Sequence, residues 1–312
     1  MKERGVSGRP ERIELQVPAS TSNLGPGFDA IGLALGLFNE FQFERLEAGL
    51  EIVIEGEGKD TLDRGPGNRA YRAFQAASKR LGNEAPGLKI VQHNAIPLAR
   101  GLGGSGTAVL AGTIAAFLLA GVEAEPSRIL DQSFTIETHP DNITPSLVGG
   151  LTVSVVDDGH VGYIRIVPPS RLRTVILIPD HGLDTEEARR VVPQQFSRED
   201  AIFNIRGTGV IMAALATDQL GHLSLGMRDR LHQPYRSHLM PGMTDIFEAA
   251  LDAGSPGVAL SGSGSGVFAF AFADNEKAVG EAMKVTAARL GMDAYCLNLP
   301  VDNTGAKIVH VS

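Results

Sequence analysis

A single cysteine, Cys296, among 312 residues leaves no possibility of an intramolecular disulfide or a thiolate metal centre, and it suits a reducing cytoplasm. Positive charge is also short: 28 Lys and Arg face 36 Asp and Glu, and the net charge of −8 speaks against broad capture of nucleic acid or of an anionic membrane. A local basic pocket and a small-molecule partner remain open. Long apolar runs are missing too. Met1 to Pro10 is polar and basic with no apolar centre, so it reads as a loose tail rather than a signal peptide. Gly101 to Val122 carries no charged side chain, but glycine, serine and threonine dominate its first third. The apolar remainder is shorter than the roughly 20 residues a membrane span requires, and a buried core helix fits better. Neither internal repeats nor low-complexity tracts occur.

What is present is the composition of an ordinary globule, 43% hydrophobic and 21% charged, in a chain long enough for two hydrophobic cores and hence two domains. Ile13, Leu15 and Val17 alternate as in a half-buried strand, which Pro18 is expected to end. Two alternating apolar stretches follow at Ile31 to Leu37 and Phe38 to Phe43, then a strand at Glu51 to Glu55. Arg69 to Leu81 reads as a helix closed by Gly82, and Leu88 to Val91 as another strand. Ser127 is expected to cap a helix reaching Thr138, and Leu151 to Val156 is a strand. Tyr163 to Val167 and Thr174 to Ile178 flank Pro168-Pro169, the preferred domain boundary, giving domains of residues 11–168 and 169–312. Asp184 and Ser197 start capped helices, the second running to about Ala216. Thr244 to Ala253 and Glu276 to Leu290 are further helices, and Tyr295, Leu297, Leu299 and Val301 alternate as a final strand. The order of elements indicates an α+β fold rather than regular βαβ repetition.

Four stretches carry chemistry. Pro97-Leu98-Ala99-Arg100-Gly101-Leu102-Gly103-Gly104-Ser105-Gly106-Thr107 is a glycine-rich turn running into an apolar helix, Ala108 to Ala120. Its glycines let backbone N–H groups approach an anion, and the helix N-terminus adds partial positive charge. An empty glycine turn is the rival reading. Asn23 and Asp29 sit in a turn-rich segment beyond a strand end, where ligand contacts tend to lie, although local Asx bonding would explain them as well. Glu137-Thr-His-Pro-Asp-Asn142 groups a carboxylate, a histidine and an amide without matching a zinc motif. Gly257 to Phe270 is strand, glycine turn, strand. Thr185 and Arg189, four apart, share a helix face. Asp229 to Arg236 holds several chargeable groups that would ordinarily be a solvated face.

These stretches, in this order, resemble the GHMP small-molecule kinases. The glycine turn is similar to that family's P-x-x-x-G-L-G-S-S-A-A signature; Val17 to Ser20 with Asn23 to Asp29, His139 to Asn142 with Gly149-Gly150, and Leu260 to Gly264 resemble its other motifs. The resemblance implies an α+β protein of two domains, the N-terminal one ribosomal protein S5 domain 2-like and the C-terminal one ferredoxin-like, with ATP between them. The branch it most resembles transfers the γ-phosphoryl group of ATP to the side-chain hydroxyl of L-homoserine. On that reading Pro97 to Thr107 wrap the triphosphate, Asn68 lies near the nucleoside, and Ser105 and Glu137 hold magnesium. Asn23, Asp29, Asn142, Thr185, Arg189 and Arg236 face the amino acid, with Asp29 either accepting the hydroxyl proton or attracting the ammonium group. A homodimer is compatible with the family.

Phosphoryl transfer depends chiefly on positioning and charge neutralisation, which backbone donors, a hydroxyl and a carboxylate supply. Two arginines suit a carboxylate. Gly104 stands where the family's loop has its first serine, Gly106-Thr107 where it has alanines, and Ser263 and Ser265 where alanine and proline are common. A sibling kinase for shikimate, mevalonate or a sugar, and a catalytically inactive nucleotide-binding regulator, are the alternatives.

Overall fold

The alternation at Ile13, Leu15 and Val17 produces the first strand, β1 (Arg12–Ser22), but Pro18 does not end it. The register against β2 (Ile31–Leu46) shifts between Pro18 and Ala19, an irregularity that carries the ladder past a residue with no N–H to donate. β2 itself is one 16-residue strand where the sequence suggested two. A computed structural model describes residues 10–312; apart from Pro10, the tail expected at Met1 to Pro10 lies outside the described residues.

β3 (Gly49–Gly56), α1 (Arg69–Arg80) and β4 (Gly87–Asn94) form a crossover unit in which β3 and β4 run parallel. Asn68 caps α1, its side chain accepting from the backbone N–H groups of Ala70 and Tyr71. Next come α2 (Gly104–Leu119), α3 (Pro126–Phe134), α4 (Pro140–Val148), β5 (Leu151–Asp157) and β6 (His160–Ile166). Ser127 does not cap α3. The N-cap is Glu125, because Pro126 takes the first helical position, where its missing N–H costs nothing, and the helix stops at Phe134, well before Thr138.

Pro168-Pro169 falls where the chain passes to a second sheet, built from β7 (Leu172–Pro179), β8 (Val258–Leu260), β9 (Val267–Phe272) and β10 (Ala294–Leu299) in the antiparallel order β10-β7-β9-β8. Between and after these strands lie α5 (Thr185–Arg190), α6 (Arg198–Ala216), α7 (Leu223–Gly226), α8 (Gln233–Arg236), α9 (Met243–Asp252) and α10 (Glu276–Arg289). Asp184 and Ser197 cap α5 and α6 as expected. α9 is entered through Gly242 in a left-handed conformation, without a cap from Thr244. β10 ends at Leu299, and Val301 makes only an isolated bridge to Leu35. The strand β11 (Lys307–Val311) returns to the first sheet, whose order is β11-β1-β2-β4-β3 with β5 joining β2 to β6.

α2 has apolar or small residues on every side and is buried almost throughout, packed against α1 and the first sheet. A second cluster joins the two sheets. It sets Ile31, Leu33, Leu35, Ile96 and Leu102 against Ile176, Ile178, Ile211, Phe268 and Phe270. That shared core holds the ends of β1, the entrance to α2 and the turn between β8 and β9 at one place. The molecule is therefore α+β, and none of its helices among the described residues is long and apolar enough to cross a membrane.

Candidate active site

Three turns meet above the shared core. The glycine turn enters α2 through Ala99, Gly101 and Gly103, all at positive φ, with Gly103 as the N-cap. A Cβ on Gly101 would fall on the carbonyl oxygen of Ser261 in the β8–β9 turn, so only glycine permits this approach. Ser261 donates its hydroxyl to the Gly101 carbonyl at 2.8 Å, and the backbone N–H of Ser20, near the end of β1, donates to the Leu102 carbonyl at 3.2 Å. Arg100 donates to the carbonyls of Leu98, Pro179 and Asp180, tying the turn to the second sheet. The first turn of α2 then presents the backbone N–H groups of an apolar helix that carries no acidic residue of its own there, which is a setting for an anion.

At the head of α2 the Ser105 hydroxyl donates to Glu137 Oε2 at 3.1 Å. The same carboxylate is 3.3 Å from Arg69 and 2.5 Å from His139 Nδ1. Burial alone would raise the Glu137 pKa, but the hydrogen bond and charge of His139, the Arg69 charge and the Ser105 hydroxyl together outweigh it and hold the carboxyl below its usual range. His139 moves the other way, raised chiefly by its bond to Glu137. Ser105 and Glu137 thus offer a hydroxyl and an ionised carboxylate side by side, the hard oxygen donors that magnesium accepts alongside water and phosphate oxygens. Among the described residues no cluster of three or more His, Cys, Asp or Glu forms a protein-only metal cage.

Across from this pair lies a polar pocket. Asn23, at positive φ, accepts from the Asp29 backbone N–H at 2.9 Å and donates to the Gly262 carbonyl at 2.9 Å, so it frames the pocket and joins the two halves. Asp29 Oδ1 is 2.7 Å from Arg189 Nη2. Arg189 and Arg236 both lie over the Phe28 ring, at 5.8 and 5.4 Å from its centroid. Arg236 was expected on a solvated face but is 2% exposed; burial, then the neighbouring Arg189 charge, lowers its pKa to about 10, which still leaves it charged at neutral pH. Asn142 sits in the first turn of α4 against Gly106, its carbonyl accepting from Ser20 Oγ. Thr185 starts α5 and faces Ser263 across 3.4 Å. The sequence-derived residues therefore converge, with one exception. Asn68 uses its side chain to cap α1, accepting from Ala70, Tyr71 and Gln92 and donating to the Asp63 carbonyl.

Sequence reasoning passed over Asp141, Phe28 and His232. Asp141 is buried, hydrogen-bonded by Ser22, and its Oδ1 has no partner. Burial, reinforced by the Asp29 charge, pushes its carboxyl up to about 7. Its position inside the His139 to Asn142 motif was the only signal. His232 and Arg236 stand four apart, a spacing that places them on one helix face.

A glycine cradle at a helix head, an adjoining hydroxyl and carboxylate, and a two-arginine pocket opposite are the parts of a small-molecule kinase. Comparison with known proteins agrees. Residues 68–150 match the GHMP kinases N terminal domain and residues 211–286 the GHMP kinases C terminal domain. A homoserine kinase of Moorella thermoacetica is 42% identical, covering 95% of this chain and 99% of its own; one of Microchaete diplosiphon is 39% identical, covering 94% and 96%. The crystal structure of homoserine kinase from Cytophaga hutchinsonii superposes with a TM-score of 0.88 at 26% identity, covering 99% of this chain and 100% of that one. The chain belongs to the GHMP kinase family and, within it, to the homoserine kinases.

Proposed function

We propose that the protein transfers the γ-phosphoryl group of ATP to the side-chain hydroxyl of L-homoserine, giving O-phospho-L-homoserine. The observation that carries this reading is the gathering of Asp29, Arg189 and Arg236 around Phe28, opposite the glycine turn. An aspartate beside two arginines complements a zwitterion: the carboxylate takes an ammonium group and the guanidinium groups take a carboxylate. A sugar or a simple alcohol would bring no carboxylate to Arg236 and no ammonium group to Asp29.

In this reading the backbone N–H groups of Gly101 to Thr107 hold the triphosphate, and Ser105 with Glu137 hold magnesium, which would neutralise charge on the transferring group. Asn142, on the rim between Ser20 and Gly106, orients the acceptor hydroxyl toward the donor. Asp29 holds the ammonium group or receives the hydroxyl proton, and Thr185 and Asn23 complete the pocket wall. Closing such a site excludes water and so disfavours ATP hydrolysis. A chain with one cysteine suits the cytoplasm, where both substrates would be at hand.

ADP release measured over L-homoserine, shikimate, mevalonate and a hexose tests the proposal. Turnover of L-homoserine at a kcat/KM well above the others is the expected result; turnover of another alcohol with none of L-homoserine would overturn it.

A further inference from the structure

Arg236 is a buried cation with no carboxylate within ion-pair distance among the described residues. Its Nε donates to the Ala188 carbonyl at 3.0 Å, and its Nη1 to the Gly262 carbonyl at 3.2 Å and to His232 Nδ1 at 3.0 Å. These partners are neutral, and Nη2 has none among the described residues. A charge held in such surroundings is costly until an anion reaches it. The guanidinium is therefore held by three fixed acceptors, while Nη2 is left for a ligand.

Two of those acceptors are backbone carbonyls and the third is a side chain. His232 is fully buried. Its Nε2 is 2.6 Å from the Gly25 carbonyl, which can only accept, so the ring proton resides on Nε2. Nδ1 then carries a lone pair, which is what Arg236 requires. Asp229 fixes the segment by accepting from the backbone N–H groups of Leu231, His232 and Gln233, and also lies 3.4 Å from Nε2. The ring stacks on Phe28 with centroids 5.0 Å apart and planes 16° from parallel. Burial keeps the ring's pKa below the usual histidine value against the opposing charge of Asp229, and Arg236 acts in the same direction.

We infer that His232 is a positioning residue for substrate specificity: as a neutral acceptor stacked on Phe28, it sets Arg236 to read the α-carboxylate of the acceptor. This rests on the proposal that the acceptor is an amino acid with Arg236 at its carboxylate. Were His232 lost, Nη1 would keep only Gly262, and the guanidinium would turn about its Nε anchor, taking Nη2 with it.

The protein is assayed with L-homoserine and with 3-aminopropan-1-ol, the same amino alcohol without the carboxylate. His232→Asn keeps an acceptor near the Nδ1 position, whereas His232→Gln carries its amide to the Nε2 end and leaves Arg236 without it. The expected loss for His232→Gln is about tenfold or more in kcat/KM for L-homoserine, through KM, with 3-aminopropan-1-ol and ATP changed by less than about twofold. His232→Asn should lie closer to the unsubstituted protein. Equal losses on both alcohols, or indistinguishable variants, would overturn the inference. Should neither variant fold, nitrogen NMR of the histidine rings decides. One of the eight histidines should remain a neutral Nε2–H ring from pH 8 to pH 6, and finding none overturns the inference. An unsubstituted protein inert to L-homoserine would instead remove the acceptor assignment itself, and this inference with it.

Discussion

Asp141 carries the heaviest electrostatic burden of any single residue in the site: it is sealed from solvent with one oxygen unpartnered and Asp29 nearby. Its folded pKa of about 7 lies above the ordinary aspartate value of 3.8. Below about pH 4 both folded and unfolded chains hold the proton and the group contributes nothing. Between pH 4 and 7 the unfolded chain ionises first, so stability falls as pH rises, and the cost is complete above 7. Asp141→Asn should therefore raise the melting temperature by on the order of 5 °C at pH 8, and by nothing near pH 4. A difference independent of pH would sink this account. Asp29→Asn separates two roles. A fall in kcat at saturating amino acid marks a proton acceptor or transition-state contact, and a rise confined to KM marks ammonium recognition; we expect the KM effect, because Asp29 already serves as the partner of a cation, Arg189. Among single residues, Asp29 and Ser105 stand out in the sequence because a charge or a hydroxyl lies close to glycines, and Arg189 because it shares a helix face with Thr185 four residues before it. His232 was not, because a lone histidine carries no sign of which of its nitrogens is occupied.

At the scale of elements, the glycine turn before α2 is the part that sequence describes most completely, since glycine spacing and the apolar helix behind it both follow from local conformational rules. What local rules omit is that the turn leans on Ser261, some 160 residues away. Gly101→Ala should cost about 2 kcal/mol or more, from positive φ together with a clash against that carbonyl, and should raise the KM for ATP. Gly209→Ala, in open space on α6, is the control and should be neutral or slightly stabilising. Equal melting temperatures for the two variants would refute the close approach. Two of the elements that the sequence did not reveal were hidden for opposite reasons. α4 contains Pro140 and Pro145 and so looks like a turn, yet its first proline lies at the helix start. β11 is exposed along its whole length, so it shows no inward-facing alternation to betray a strand.

For the whole molecule, length and composition indicated two cores but could not show that one cluster is common to both sheets. Fully burying an aliphatic or aromatic side chain contributes about 1.5–3 kcal/mol, and this cluster draws several from each sheet. Residues 11–168 without the rest would leave Ile31, Leu33 and Leu35 uncovered on that side. Urea unfolding followed by two probes, one on α1 and one on α10, should give coincident transitions. Two well-separated midpoints would mean that the halves are independent.

β11 adds a constraint in time. It pairs with β1, the strand whose far end delivers Ser20 and the Asn23 to Asp29 turn, so β1 is flanked by a segment far removed from it along the chain, Ile13 lying opposite Val311. During translation β1 must wait with an open edge while some three hundred residues follow, an invitation to wrong pairing in a crowded cell. Removing residues 307–312 should recreate that waiting state: soluble yield and melting temperature should both fall, and unchanged values would show that β1 needs no such guard. A strand exposed along its whole length and far from the pocket in sequence thereby protects the edge of the strand that leads into the pocket.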